Sequence, residues 1–197
     1  MDYRIMGHYF TGVQLIVGAT VLLVVALIVV AALMERRRNR TQAFRDRFGS
    51  EYDRAVLDIG SAREAEASLA KRESRVETLK IRSLSAIERQ LFASGWHSIQ
   101  SRFIDHPKAA VTEANALVDS LLENRGYPRV GFEQRASDVS VDYPGIMENY
   151  RLAHSVAFRM SRVEATTEEL RGAMVQYRAV FDELIQDQVP RESRTAA

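Results

Sequence analysis

Between Val13 and Met34 the chain reads VQLIVGATVLLVVALIVVAALM, a run of 22 residues without a charge, in which only Gln14 and Thr20 have polar side chains. At about 1.5 Å per residue this run makes a helix of about 33 Å. That is enough to cross a hydrocarbon core of roughly 30 Å with a little tilt. A buried helix of a soluble domain is seldom apolar on every face for that length, so the pattern predicts a transmembrane helix over residues 13–34. A cleaved secretory signal would need a positive leader, an apolar core of about 7 to 15 residues and a small-x-small cleavage site. Here MDYRIMGHYFTG has one Asp and one Arg, the core is longer, and the exit reads ERRRNR. The expectation is an uncleaved anchor with an outside tail over residues 1–12, where Tyr3, Tyr9 and Phe10 suit the headgroup layer.

Beyond Met34 the pattern changes to helical periodicity interrupted by glycine and proline. The span is expected to continue as a basic juxtamembrane helix to Phe48, before Gly49. Gly60 separates two further helices, the second opening at the capping box Ser61-Ala62-Arg63-Glu64. Over Ala62 to Lys80, the positions Ala65, Leu69, Arg72, Val76 and Leu79 form a narrow seam that reads as a stalk or an edge helix, so residues 35–82 are the expected juxtamembrane and stalk helices. A second capping box, Ser85-Ala86-Ile87-Glu88, begins a broad apolar face of Ile87, Leu91, Phe92, Trp96, Ile99 and Phe103.

His106-Pro107 starts the next helix with Pro at its first position, and Ala110, Ala114, Leu117, Val118, Leu121 and Leu122 mark its stripe. Gly126, able to adopt the left-handed conformation, ends it. One short helix fits around Phe132 to Val139. Another helix follows Pro144, and the box Thr166-Thr167-Glu168-Glu169 opens the last, lined by Leu170, Met174, Tyr177, Phe181 and Leu184. No segment alternates with period two. The fold class expected is all-α: the anchor, the juxtamembrane and stalk helices, then a bundle of four long helices and one short one over residues 83–187, with a flexible tail over 188–197.

Charge sharpens this picture. The net charge of +1 conceals +4 over residues 35–47 and −3 over residues 48–197. Six Arg follow the span within reach of the topology bias, against Arg4 before it, which predicts a cytoplasmic C-terminal domain. Arg36, Arg37, Arg38 and Arg40 form a lipid-facing basic cluster that reads first as a topology signal, the alternative being attraction of anionic lipid at about 1 kcal/mol per charge. Because the basic charge belongs to the membrane edge and not to the folded domain, nucleic acid is not an expected partner. The absence of Cys excludes disulfides, thiolate metal sites and a Cys nucleophile.

The templates for catalysis are missing. There is no phosphate-binding P-loop, GxGxxG, HExxH or GxSxG. The di-iron pattern needs Glu three residues before His, whereas Ser94, Phe103 and Arg151 precede His97, His106 and His154 at that spacing. No metal and no cofactor is expected. One polar constellation is the candidate site: Glu133, Arg135, Asp138 and Asp142, then Glu148, Asn149, Arg151 and His154. Arg135 with Asp138, and Glu148 with Arg151, are spaced as helical i, i+3 pairs, so ion pairing that fixes a short helix against its neighbours is the structural explanation of the set.

RFGSEYDRAV (Arg47 to Val56), RGYP (Arg125 to Pro128), FEQRASDVSVDYP (Phe132 to Pro144) and ENYRLAH (Glu148 to His154) resemble a family of uncharacterised bacterial proteins labelled hypothetical or secreted. The resemblance covers about Arg47 to Ile185 and brings no activity, cofactor or catalytic residue. It implies a bacterial source and hence the plasma membrane. The functional expectation is a single-pass membrane-anchored protein, not an enzyme, whose helical domain binds a protein partner or itself as an interaction or scaffold module. The alternative is a small-ligand sensor or enzyme with a polar site around Glu133 to His154, which would need a cleft of about 300 Å³ or more at those residues.

Overall fold

In the computed structural model, which describes residues 12–160 and 164–186, the apolar run and the basic stretch after it form one uninterrupted helix, α1 (Gly12–Phe48). It is long and apolar enough to cross a membrane, and no residue of its apolar window is buried. Tyr3, Tyr9 and Phe10 of the expected outer tail and the expected flexible tail, 188–197, lie outside the described residues. The chain divides after Phe44 into two units, and α1 supplies the described part of the first.

The second unit, residues 45–197, is built of helices joined by short loops, with no strand among its described residues. Gly49 and Gly60, both at positive φ, bracket α2 (Ser50–Ile59), and Gly60 closes it in the left-handed conformation. α3 (Ala62–Glu77) starts at Ser61, whose Oγ accepts the Glu64 N–H at 3.5 Å. α4 (Ala86–Arg102) carries the complete capping box, with Glu88 N–H donating to Ser85 Oγ (3.2 Å) and Ser85 N–H to Glu88 Oε2 (2.8 Å). α5 (Pro107–Asn124) begins on its proline. α6 (Phe132–Asp142) is the short helix and runs a little longer than its apolar pattern predicts. A single 3₁₀ turn, Pro144–Ile146, leads into α7 (Met147–Arg159), and α8 (Thr167–Gln186) follows the Thr166–Glu169 box, in which Glu169 N–H donates to Thr166 Oγ1 at 3.2 Å.

α8 is the centre of this unit, packed on α5 and α7, while α4 lies on α5 and α6 on α7. Its predicted stripe, Leu170, Met174, Tyr177, Phe181 and Leu184, is buried throughout. The main hydrophobic cluster runs from Leu84 to Leu184, so the large core begins where the second capping box announces it. The helices expected as a stalk do not stand free. α2 and α3 pack on each other and α3 packs on α6, with Phe48, Tyr52, Ala65, Leu69 and Val76 fully or almost fully buried.

The expected face of α4 holds only in part. Trp96 and Ile99 are buried, but Ile87 and Leu91 are 73% and 66% exposed. The backbone explains the difference. Gly95 lets α4 approach α5 so closely that a Cβ there would lie 3.3 Å from Leu117 Cδ1, and this draws the middle of the helix inward. Of the helices packed closely on it, α4 has α5 alone, so one side of its apolar stripe stays uncovered.

The end of α5 shows why one glycine is needed. Gly126 sits at φ +101°, and a Cβ at that position would lie 2.3 Å from the Lys80 carbonyl oxygen. The incoming segment is fastened there by Arg82 N–H donating to the Arg125 carbonyl at 2.9 Å.

Candidate functional site

α6 and the first turns of α7 carry the candidate polar residues, and the fold sends them to three different neighbours. Arg135, buried, turns towards α5, with Nη1 2.5 Å from Asp119 Oδ1 and Nη2 donating to the Val130 carbonyl at 3.3 Å. Tyr150 adds its hydroxyl to the same Asp119 oxygen at 3.4 Å. Burial works against the Arg135 charge, and Asp119 and Tyr150 together outweigh it, so its pKa is raised. Burial likewise pushes the Tyr150 hydroxyl well above the usual phenol range, with Asp119 adding to the rise.

Asp138 has no exposed surface at all. It accepts from Arg75 Nε of α3 at 3.0 and 3.4 Å and from Gln134 Nε2 at 2.8 Å. Arg151 of α7 grips Glu51 of α2 with both terminal nitrogens, Nη2 to Oε2 at 2.8 Å. Asp142 accepts the Tyr127 hydroxyl at 2.5 Å. His154 is half-buried and stacks on Phe132 with ring centroids 3.5 Å apart and planes 5° from parallel, with Phe158 further along at 6.3 Å. Burial lowers its pKa, against the pull of the Asp119 and Glu133 carboxylates and together with the nearby Arg135 charge.

The expected i, i+3 pairs are therefore not the ones made. Arg135 and Asp138 pair with Asp119 and Arg75, and Arg151 pairs with Glu51, leaving Glu148 exposed with no ion pair among the described residues. An exposed pair along one helix is worth about 0.2–0.5 kcal/mol. A charge carried into the interior must instead find a compensating partner or lose several kcal/mol. The arginines accordingly reach across to carboxylates on other helices.

Glu133, Arg151 and Ser137 border a cavity of about 80 Å³ with Glu51, Arg54, Asp58 and Arg72. Three guanidinium and three carboxylate groups face it, so it selects neither anions nor cations, and at about 30 Å³ per molecule it has room for only two or three waters. Burial lowers the Arg72 pKa, with Glu51 opposing. Among the described residues no three His, Asp or Glu side chains gather as a metal site. The other candidate group, Arg36, Arg37, Arg38 and Arg40, is exposed on the continuous helix α1, with the Arg40 guanidinium 5.7 Å from the Phe44 ring centroid. At 100° per residue, Arg36, Arg37 and Arg38 point in three directions around the axis.

Three of the partners that matter most, Glu51, Arg75 and Asp119, lie 100, 63 and 16 residues from the groups they hold. Periodicity carries no signal for such pairings. Arg125 is a further residue to which the periodic pattern assigns no role. It is buried, donates from Nη1 to the Leu184 carbonyl at 2.6 Å near the end of α8, and lies over the Tyr143 ring. No protein-family model, no curated protein and no solved structure matches this chain.

Proposed function

We propose that this chain is a single-pass protein of the bacterial plasma membrane whose helical unit, on the cytoplasmic side, is a protein-interaction or scaffold module and not an enzyme. The observation that carries the reading is how the polar residues are used. Arg135, Asp138 and Arg151 hold helices to one another, and the cavity that Arg151 and Glu133 border is small and charge-balanced. What the unit offers to other molecules is surface. The anchor is α1, in which the residues from Val17 to Met34 are exposed. Its orientation rests on the six Arg from Arg36 to Arg47 against Arg4, and the bacterial membrane on the resemblance of segments such as Arg47 to Val56.

In-cell crosslinking of the full-length protein followed by mass spectrometry tests the module. Recurrent cross-links from residues 45–186 to one protein are expected. Purification with a stoichiometric small molecule held near Glu133 and Arg151, and without any protein partner, would favour the ligand-sensor reading instead. Fusions at the C-terminus test the orientation: a fluorescent protein there should fluoresce and alkaline phosphatase should be inactive, and the reverse pattern overturns it.

A further inference from the structure

The main hydrophobic cluster of the second unit does not reach back into α2 and α3. Phe48, Tyr52, Ala55, Ala65, Leu69 and Val76 are buried, yet none of them belongs to it. Among the described residues of the later helices, Val141 of α6 is the one buried apolar side chain that also stands outside. It lies at i, i+3 from Asp138, on the same face of its helix.

Charge links the two layers. Arg75 of α3 donates from Nε to the fully buried Asp138 of α6 at 3.0 Å, and Arg151 of α7 grips the buried Glu51 of α2, Nη2 to Oε2 at 2.8 Å. The cavity of about 80 Å³ opens at the same junction. α2 and α3 supply Glu51, Arg54, Asp58 and Arg72 to its wall, and α6 and α7 supply Glu133 and Arg151. Buried apolar area holds a junction shut in proportion to its size. A buried ion pair behaves differently, because its attraction is offset by the hydration its two charges have given up. When the layers part, both charges regain water, and little is lost.

The covalent link between the layers is short. α3 ends at Glu77, and from Leu79 onward the chain is already fastened to the bundle: Leu79 and Ile81 pack on the main cluster, Gly126 passes against the Lys80 carbonyl, and Arg82 N–H donates to the Arg125 carbonyl at 2.9 Å. Thr78 is left as the pivot. At its other end the layer holds the chain that leads to α1, through the buried Phe48 and through Arg47, which pairs with Glu73 of α3.

We propose that residues 45–77 form a hinged layer, which parts from the α4–α8 bundle at its charged junction, turns at Thr78 and leaves the bundle folded. Opening uncovers the Asp138 face of α6 and the Arg151 side of α7 without unfolding either helix. It is a partial opening of the native state, and salt favours it because it separates opposite charges. The inference does not depend on what the bundle binds.

The chain has no Cys, so an introduced thiol reports a single position. Reaction with a maleimide is timed on the full-length protein in lipid nanodiscs, for Val141→Cys at the junction and for Ala173→Cys, buried in α8 within the main cluster. The Val141→Cys thiol should react at least about tenfold faster than that of Ala173→Cys. Raising KCl from about 0.05 to about 0.5 M should speed it by about threefold or more and leave Ala173→Cys unchanged. Arg75→Ala strands Asp138 in the closed state, so adding it should speed the Val141→Cys reaction at least about tenfold, again without exposing Ala173→Cys. The proposal is overturned if the two thiols react equally slowly, if neither salt nor Arg75→Ala changes the junction thiol, or if both thiols speed up together, which would mean that the layer leaves only when the whole unit unfolds.

Discussion

Arg135 and Glu148 have similar prospects in the sequence and opposite situations in the fold. Arg135 is buried against Asp119, so Arg135→Ala leaves a carboxylate without its partner and should cost about 3–5 kcal/mol. Glu148 is exposed and unpaired among the described residues, so Glu148→Ala should change stability by less than about 0.5 kcal/mol. Urea denaturation of the two variants checks the contrast, and equal losses would contradict the pairing. Gly126→Ala meets both a positive φ and the Lys80 carbonyl, and should destabilise by at least about 1 kcal/mol. His154 supplies a pH dependence. Its folded pKa is lowered, chiefly by burial, so below about 6.5 the unfolded chain binds more protons than the folded one. The stability this group contributes is complete above that value and is lost as pH falls through it towards the folded pKa. Comparing urea midpoints at pH 7 and pH 5, the parent should lose more than His154→Asn does.

Helix starts were legible and helix faces only partly so. A capping box needs two residues three apart on the same strand of chain, and Ser85 with Glu88 forms it in full. Arg82 then joins from outside the helix, its Nη2 2.6 Å from Glu88 Oε1. Arg82 first and Ser85 second hold the Glu88 carboxyl at about 2. Its contribution to stability is therefore present above the ordinary value near 4.5 and is lost as pH falls from there towards 2. An NMR titration of Glu88 should show the depressed value, and Arg82→Ala should move it back up. The face of α4 needed more than its own periodicity. Ile87 and Leu91 satisfy the same helical spacing as Trp96 and Ile99, yet only the latter pair has a helix across from it.

The second unit combines a large hydrophobic cluster from Leu84 to Leu184 with a smaller α2–α3 pair. Two ion pairs join them, Arg75 with Asp138 and Arg151 with Glu51. A fragment of residues 83–197 keeps the cluster but strands Asp138 and Arg151. It should fold as a helical bundle, by far-ultraviolet circular dichroism, and melt below a fragment of residues 45–197. Arg75→Ala in the longer fragment should lower its melting further than the same change at an exposed, unpaired arginine, because it leaves the buried Asp138 charge uncompensated under α3. Identical melting of the two fragments would show that α2 and α3 add nothing.

Local rules settled much of this from the chain alone. The length of an apolar run, the reach of a side chain to its own helix terminus, the left-handed tolerance of Gly60 and Gly126 and the burial of a five-residue stripe on α8 all depend on neighbours within a few residues. The all-helical class, the membrane-length helix and most helix starts follow from them. The polar site did not, because a charge chooses its partner by position in space and by burial. Arg135, Asp138 and Arg151 lie within 17 residues of one another in the sequence, and the fold turned each towards a different helix. Only the packing of α6 and α7 against α5, α3 and α2 determined which carboxylate each arginine met, since an unpaired charge is tolerated in water and costs several kcal/mol in the interior.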